Sequence, residues 1–365
     1  MISRLLAFLG RHIDRHLLAA VGALLLVGLI TLYSASGENV GRIGAQLANI
    51  VVALTVMWIA ANIPPHYLQR LALPVYVVGL LLLIAVWRYG ETVNGARRWL
   101  HIGVTRIQPS ELMKVAVPLA LAWYFDRYEA VLKLRDFAVA ALMLLVPVVL
   151  VAKQPDLGTA LIITAAGFYV IFLAGLSWKV LVGMTVTSAI CVPFVVWPLL
   201  HDYQRQRIMT LLDPNQDPLG AGYHTIQATI ALGSGGFFGK GWLNGTQAHL
   251  DFLPERSTDF IFAVFSEEFG LFGNLVLVTL FLFVIGRGLF ITFNASTLFT
   301  RLLAGAITLT LFTYVFVNMG MVSGVLPVVG VPLPLISYGG TSLVSILFAM
   351  GILMSIHTHK RLVKS

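Results

Sequence analysis

Charge is what this 365-residue chain has least of: 11% of its residues are Asp, Glu, Lys or Arg, against roughly a quarter in an ordinary soluble domain. With 58% of the residues hydrophobic, one globular core cannot hide the apolar surface, and a soluble domain is excluded. Cysteine is almost missing. The lone Cys191 rules out an internal disulfide. The nine histidines show no zinc-type spacing, and His357 and His359 sit beside Lys360 and Arg361 in a basic tail that reads as a solvated end. The alternation of about ten residues that marks a membrane barrel is missing too. So is a separate soluble domain, an internal repeat or a low-complexity segment.

What is present is a succession of apolar runs, each long enough to cross a bilayer at about 17 to 25 residues. Ten spans are expected, near 17–34, 44–63, 69–88, 110–126, 136–152, 157–175, 178–199, 259–286, 300–323 and 335–356. A spanning backbone must satisfy its own hydrogen bonds, so the spans are helices. The expected architecture is an all-α polytopic membrane protein, one domain over residues 1–365, with about ten transmembrane helices. Arg4, Arg11 and Arg15 precede the first run in the manner of a signal peptide. That run is too long for a signal's apolar region and continues into further spans, so it reads as an uncleaved first helix.

The net charge of +8 is scattered between spans rather than gathered into a basic face, which argues against a nucleic-acid partner. Most basic residues fall on one set of short loops, and the positive-inside tendency makes that side, with both termini, cytoplasmic. Most of the exceptions lie in two long connections on the opposite face. Residues 89–109 carry Arg97, Arg98 and Arg106, and residues 200–258 carry Arg205, Arg207, Lys240 and Arg256. A connection approaching sixty residues is too long to be mere linkage, so the working face is expected to be external.

Within NGARRWLHIGVTRIQPSELMK, residues 94–114, Gln108-Pro109-Ser110 has the form of a helix start, and Glu111 and Lys114 are spaced to pair on one face. A capped span with a local ion pair is the plain structural account. Lys114, a full turn into an external end, is instead a functional candidate, because ionisable groups inside spans are costly. AKQPDLGTA, residues 152–160, repeats the design with Lys153 and Asp156, where Asp156 reads as a helix cap. GSGGFFGKGW, residues 233–242, fails the phosphate-loop pattern, since Gly241 follows Lys240 and Ser234 stands where the first glycine belongs. A flexible external loop carrying one lysine is the expectation there. MVSGVLPVVGVPLPLISYGGTS, residues 321–342, is apolar but broken by three prolines and paired glycines, so its backbone at about 324–336 must be buried or line a cavity as a re-entrant external loop. FLPERSTDFIFAVFSEEFG, residues 252–270, sets Glu255, Asp259, Glu267 and Glu268 against the start of a span. Whether Glu267 and Glu268 line a cavity or pair with other helices stays open.

Together with HDYQRQR and GAGYH, these strings closely resemble the RodA/FtsW, or SEDS, family of cell-wall polymerases, and most nearly its members of the rod-elongation system. The resemblance covers most of the chain, from Tyr33 to His359. One departure is Ser257, where the family often has histidine; it bears on that histidine's role and not on membership. The resemblance implies a ten-helix peptidoglycan glycosyltransferase acting on lipid II at the outer face of a bacterial inner membrane. It implies Asp259 as the catalytic carboxylate, and Glu111, Lys114 and Asp156 lining a polar cavity. Arg98, Arg106, Gln108, Gln204 and Arg207 match positions placed near substrate. It also implies a class B penicillin-binding protein as partner, among other elongation-complex membrane proteins. No Ser-x-x-Lys site in an external domain supplies crosslinking here.

The residues suit that chemistry on their own terms. An anionic diphosphate at the bilayer surface needs cations at interface depth, and the external cations, Lys153 and Lys240 included, are candidates for holding it. Inverting transfer to a hydroxyl needs one base and charge stabilisation of the leaving diphosphate, so one carboxylate and several cations suffice. A divalent cation, Mg or Mn, is compatible with the step, and the sequence offers no distinct ligand set for it. The same polar residues in a bundle suit a flippase that moves lipid II without chemistry.

Overall fold

The structure, a computed structural model, describes residues 12–93, 96–102, 105–128, 132–191, 194, 197–199, 205–206, 209–211, 213, 222–249, 253 and 255–359. Each expected span has a helix: α1 (Arg15–Ala35), α2 (Val40–Asn62), α3 (Pro65–Tyr89), α4 (Pro109–Arg127), α5 (Leu134–Ala152), α6 (Leu157–Leu173) and α7 (Trp178–Cys191) in the first half. After α8 (Tyr223–Ser234) and the single turn α9 (Thr246–His249) come α10 (Ile261–Phe293), α11 (Leu298–Val322) and α12 (Thr341–Thr358). Among the described residues, seven of these helices are long and apolar enough to cross a bilayer, and α6 is apolar but shorter. The chain is a multi-pass membrane protein.

Local chemistry explains the helix ends. Asp14 caps α1 by accepting from the Leu17 N–H, and Asn39 does the same for Arg42 at α2. Pro109 stands in the first turn of α4 with Glu111 beside it, and Asp156 caps α6 by accepting from Thr159. α12 starts six residues later than the expected span, because residues 323–340 form no helix. Within them Val331, Leu333, Leu335 and Ile336 are nonetheless buried, while Val325 is exposed. α1 accommodates them through Gly28, where an added Cβ would lie 2.8 Å from the Leu335 carbonyl oxygen.

α11 is the central helix: 78% of its apolar stretch is buried, against 28% for α2, α3 and α5. It packs against α4, α6 and α10, while α12 runs along α2. Two features depart from the expectation of long external loops. The first connection folds into an antiparallel sheet of β1 (Glu91–Val93), β2 (Ala96–Ile102) and β3 (Thr105–Ile107), with His101 opposite Arg106. The second contains α8, which buries Thr225, Ala228 and Ala231 and packs on α10. At about 18 Å, twelve helical residues are too short to span, so α8 braces the bundle.

Candidate functional site

Tyr314 and Asn318, one turn apart on α11, face two polar clusters. In the first, Lys114 Nζ donates to Glu111 Oε1 at 2.6 Å, and Ser345 Oγ of α12 donates to Glu111 Oε2 at 2.7 Å. The ammonium stands 5.2 Å from the centroid of the Tyr314 ring. Glu111 and Lys114 are both buried. The pair that i,i+3 spacing predicts on α4 therefore exists, and it opens onto a cavity of about 590 Å³ between α2, α4 and α12. One end of that cavity is polar, with Arg106, Gln108, Glu111 and Asn49; the other is walled by Val52, Val56, Leu112, Val115, Val344 and Phe348.

Asp156 joins the polar end. Gln108 Nε2 donates to its Oδ2 at 3.2 Å, and Arg98 lies 3.7 Å away while donating to the Pro155 carbonyl at 2.7 Å. Arg106 is held at the sheet by His101, which accepts from its Nε at 3.2 Å, and by Glu91 at 3.7 Å. Three predicted residues, Arg106, Gln108 and Glu111, thus line one cavity, with Asp156 and Arg98 joined to it through Gln108 and Lys114 behind Glu111.

Asp259 lies just before α10, half-buried. Asn318 Nδ2 donates to its carbonyl at 2.8 Å and to the Val331 carbonyl at 2.7 Å, tying the STDF stretch to the irregular segment. Ser337 Oγ donates to the Thr258 carbonyl at 2.7 Å, and the Tyr338 N–H to the Ser257 carbonyl at 2.9 Å. Gly330, at φ 73°, closes against the carboxylate: an added Cβ would lie 3.4 Å from Asp259 Oδ2. The same segment touches α6, where a Cβ on Gly158 would meet the Val329 carbonyl at 2.7 Å. Residues 329–331 thereby link the Asp156 cap to Asp259.

Sequence reasoning passed over Arg42. Its Nη1 donates to Ser257 Oγ at 3.1 Å, and its guanidinium lies 5.5 Å from the Tyr338 ring centroid. With Arg256, Glu255 and Thr258 it lines a polar cavity of about 400 Å³ beside Asp259. The available signal was an arginine in the first turn of a span at the end the charge bias leaves poor. Tyr314 and Asn318 were equally readable, as polar groups at i,i+4 in an apolar run. His224 of α8 stacks on Phe260; burial pushes its pKa below the ordinary value, with Glu255 opposing.

Two candidates do not join the site. Lys153 is exposed at the C-terminal end of α5. Lys240 is no flexible-loop lysine: its Nζ donates to Oε1 of the buried Glu267 at 2.6 Å. The long-range contact that fixes it joins residues 27 apart, beyond any local spacing rule. Gln204 and Arg207 lie outside the described residues. Among the described residues no group of three or more His, Cys, Asp and Glu side chains comes together.

Fold and site together define a multi-pass helical membrane protein with a carboxylate and cation cluster at one end of its bundle, open to an apolar groove. Residues 15–362 match the cell cycle protein family of FtsW, RodA and SpoVE, and the chain belongs to that family. It is 49% identical over 351 residues to the peptidoglycan glycosyltransferase MrdB of Escherichia coli strain K12, covering 96% of this chain and 95% of that protein. It is 31% identical to the peptidoglycan glycosyltransferase RodA of Treponema pallidum, over 95% and 98% of the two chains. Among solved structures, a chain of a peptidoglycan synthase complex that coordinates polymerization and crosslinking superposes with TM-score 0.83 at 36% identity, covering 94% of this chain and 97% of that one. The rod shape determining protein RodA of Thermus thermophilus matches with TM-score 0.72 at 29% identity, over 94% and 96%.

Proposed function

We propose that this chain is a peptidoglycan glycosyltransferase that polymerises lipid II into glycan strands at the outer face of the bacterial inner membrane during cell elongation, with Asp259 as general base. The observation that carries the reading is the 590 Å³ groove, cationic and polar at one end and apolar along its length, which has the two-part chemistry of a lipid-linked diphosphate sugar. The names of the similar proteins support the same activity.

In this reading Arg98 and Arg106 hold the diphosphate by planar donor pairs, Gln108 orients it, and Lys114 supplies a charge from below. Asp259 takes the proton of the acceptor hydroxyl as its oxygen bonds to the anomeric carbon. The sugar–phosphate bond breaks, and its electron pair leaves with the cation-stabilised diphosphate. Glu111 keeps Lys114 charged and aimed. A penicillin-binding protein of class B supplies crosslinking to the glycan, and co-purification from native membranes tests for it. Labelling of single-cysteine variants in intact cells with a membrane-impermeant thiol reagent tests the orientation.

Asp259→Asn keeps the shape of the side chain and removes the proton acceptor, so lipid II polymerisation is expected to fall by about 10²- to 10⁴-fold. Lipid II binding by the purified variant is expected to persist. A variant that polymerises at the wild-type rate removes Asp259 as base. A purified wild-type protein that moves lipid II across vesicles yet makes no glycan would establish the flippase reading instead.

A further inference from the structure

α10 is not one helix. Gly270, at φ 63° and ψ −162°, breaks it into residues 261–269 and 271–293. At the break the helical ladder is replaced by the glycine-rich segment. The carbonyls of Glu267 and Glu268 accept from the N–H groups of Lys240 and Gly241, each at 3.0 Å. The N–H groups of Leu271 and Phe272 donate to the carbonyls of Gly236 and Phe237, also at 3.0 Å. Gly270 lies about 13 Å below the start of α10, where unmatched backbone groups are costly. Residues 236–241 are therefore a plug seated in a broken membrane helix, with Phe237, Phe238 and Trp242 exposed on its outer side.

Side chains complete the seat. Glu267 is fully buried. Its Oε1 accepts from Lys240 Nζ at 2.6 Å, from the Thr246 N–H at 2.9 Å and from Thr246 Oγ1 at 2.9 Å, and its Oε2 accepts from the Gln247 N–H at 3.2 Å. Glu268 accepts from Ser34 Oγ on α1. Across a glycine that departs from helical geometry, these contacts help set the direction of the half-helix 261–269, alongside the core packing of Ile261–Phe265 and the Asn318 bond to Asp259. Asp259 sits at its far end, about 16 Å from Gly270 along the axis, so a tilt of about 5° moves the carboxylate by more than 1 Å. A displacement of about 1 Å costs on the order of 10²-fold in rate.

We infer that Glu267 and Lys240 are positioning residues for the reaction: their ion pair, with the carboxylate buried and the lysine at its outer edge, seats the 236–241 plug in the broken α10 and so helps aim the half-helix that carries Asp259. The inference rests on the reading of Asp259 as base. Glu267→Gln places an amide NH₂ group among donors and leaves Lys240 without its counter-charge, and Lys240→Gln removes the cation from the seat. Each is expected to lower kcat by about 10- to 100-fold, with lipid II Kd within about twofold of wild type and the acid limb of the kcat profile displaced. Lys240→Arg, which keeps the charge, is expected to retain most of the activity.

The measurements are single-turnover polymerisation, lipid II binding and thermal unfolding in detergent, with Asp259→Asn alongside. The inference is overturned if Glu267→Gln and Lys240→Gln both keep wild-type kcat, if activity falls only in step with thermal stability and binding, or if Lys240→Arg falls as far as Lys240→Gln. Should Glu267→Gln fail to fold, Lys240→Gln alone decides. An inactive Asp259→Asn beside wild-type Glu267→Gln and Lys240→Gln overturns the positioning role alone, whereas a fully active Asp259→Asn overturns the assignment of the base.

Discussion

Two lysine–carboxylate pairs lie inside the bundle with the same 2.6 Å separation, Lys114 with Glu111 and Lys240 with Glu267. Their surroundings differ. Glu111 is held by side chains alone, the Lys114 ammonium and the Ser345 hydroxyl, and it borders the large groove. Glu267 is saturated by two backbone N–H groups as well as Lys240 and Thr246. Backbone donors cannot swing away, so a carboxylate that carries them is committed to architecture. One held by rotatable groups at a cavity wall can exchange a partner for a ligand. Distance does not tell the two pairs apart; the identity of the donors does.

The sharpest way to break this contrast is at Lys114. Lys114→Ala takes away the charge beneath the groove and leaves Glu111 buried without its counter-ion, so glycan synthesis from lipid II is expected to fall by about 10²-fold or more. Gly330→Ala tests a smaller displacement. A side chain at φ 73°, against Asp259 Oδ2, costs about 1–2 kcal/mol of backbone strain. It is expected to lower kcat severalfold with lipid II binding retained, measured in the same assay.

The smallest effect concerns a third buried pair, at the other end of the bundle. Asp14 Oδ2 accepts from Arg287 at 2.6 Å, with His357 at 3.4 Å. Burial works to raise the Asp14 pKa, but the hydrogen bonds from Arg287 and the Leu17 N–H and the nearby positive charges together hold it below its ordinary value of 3.8. A depressed carboxylate contributes stability that is present above its unfolded pKa and lost as pH falls through its folded pKa. Asp14→Asn is therefore expected to lower the thermal midpoint at pH 7 modestly and to flatten its decline on acidification below about pH 4. Unfolding scans in detergent across that range check it.

What was legible in the chain was what local spacing controls. A helix in each of the ten expected spans, the Glu111–Lys114 pair, the Asp156 cap and the burial of residues 331 and 333–336 all follow from hydropathy or from contacts three residues apart. The plug was not legible, because the bond between Lys240 and Glu267 joins residues 27 positions apart and looks in sequence like a solvated glycine loop. Nor was the partner of the Asn318 amide, the Asp259 carbonyl 59 positions away. The sheet escaped because β1 and β3 are three residues each, too short to show a period. Glu267 and Glu268, ambiguous as residues beside a span, became assignable only once the break at Gly270 supplied their partners.

The break also dictates an order of events at the ribosome. Residues 236–241 are synthesised before α10, yet the backbone groups they match belong to residues 267–272. Until those emerge, four backbone groups of the plug lack the partners they have in the finished fold, and the plug takes its seat once α10 is made. Insertion of this helix is thus a joint step with a segment made earlier. The glycines that let the two meet set the timing of assembly as much as the shape of the finished protein.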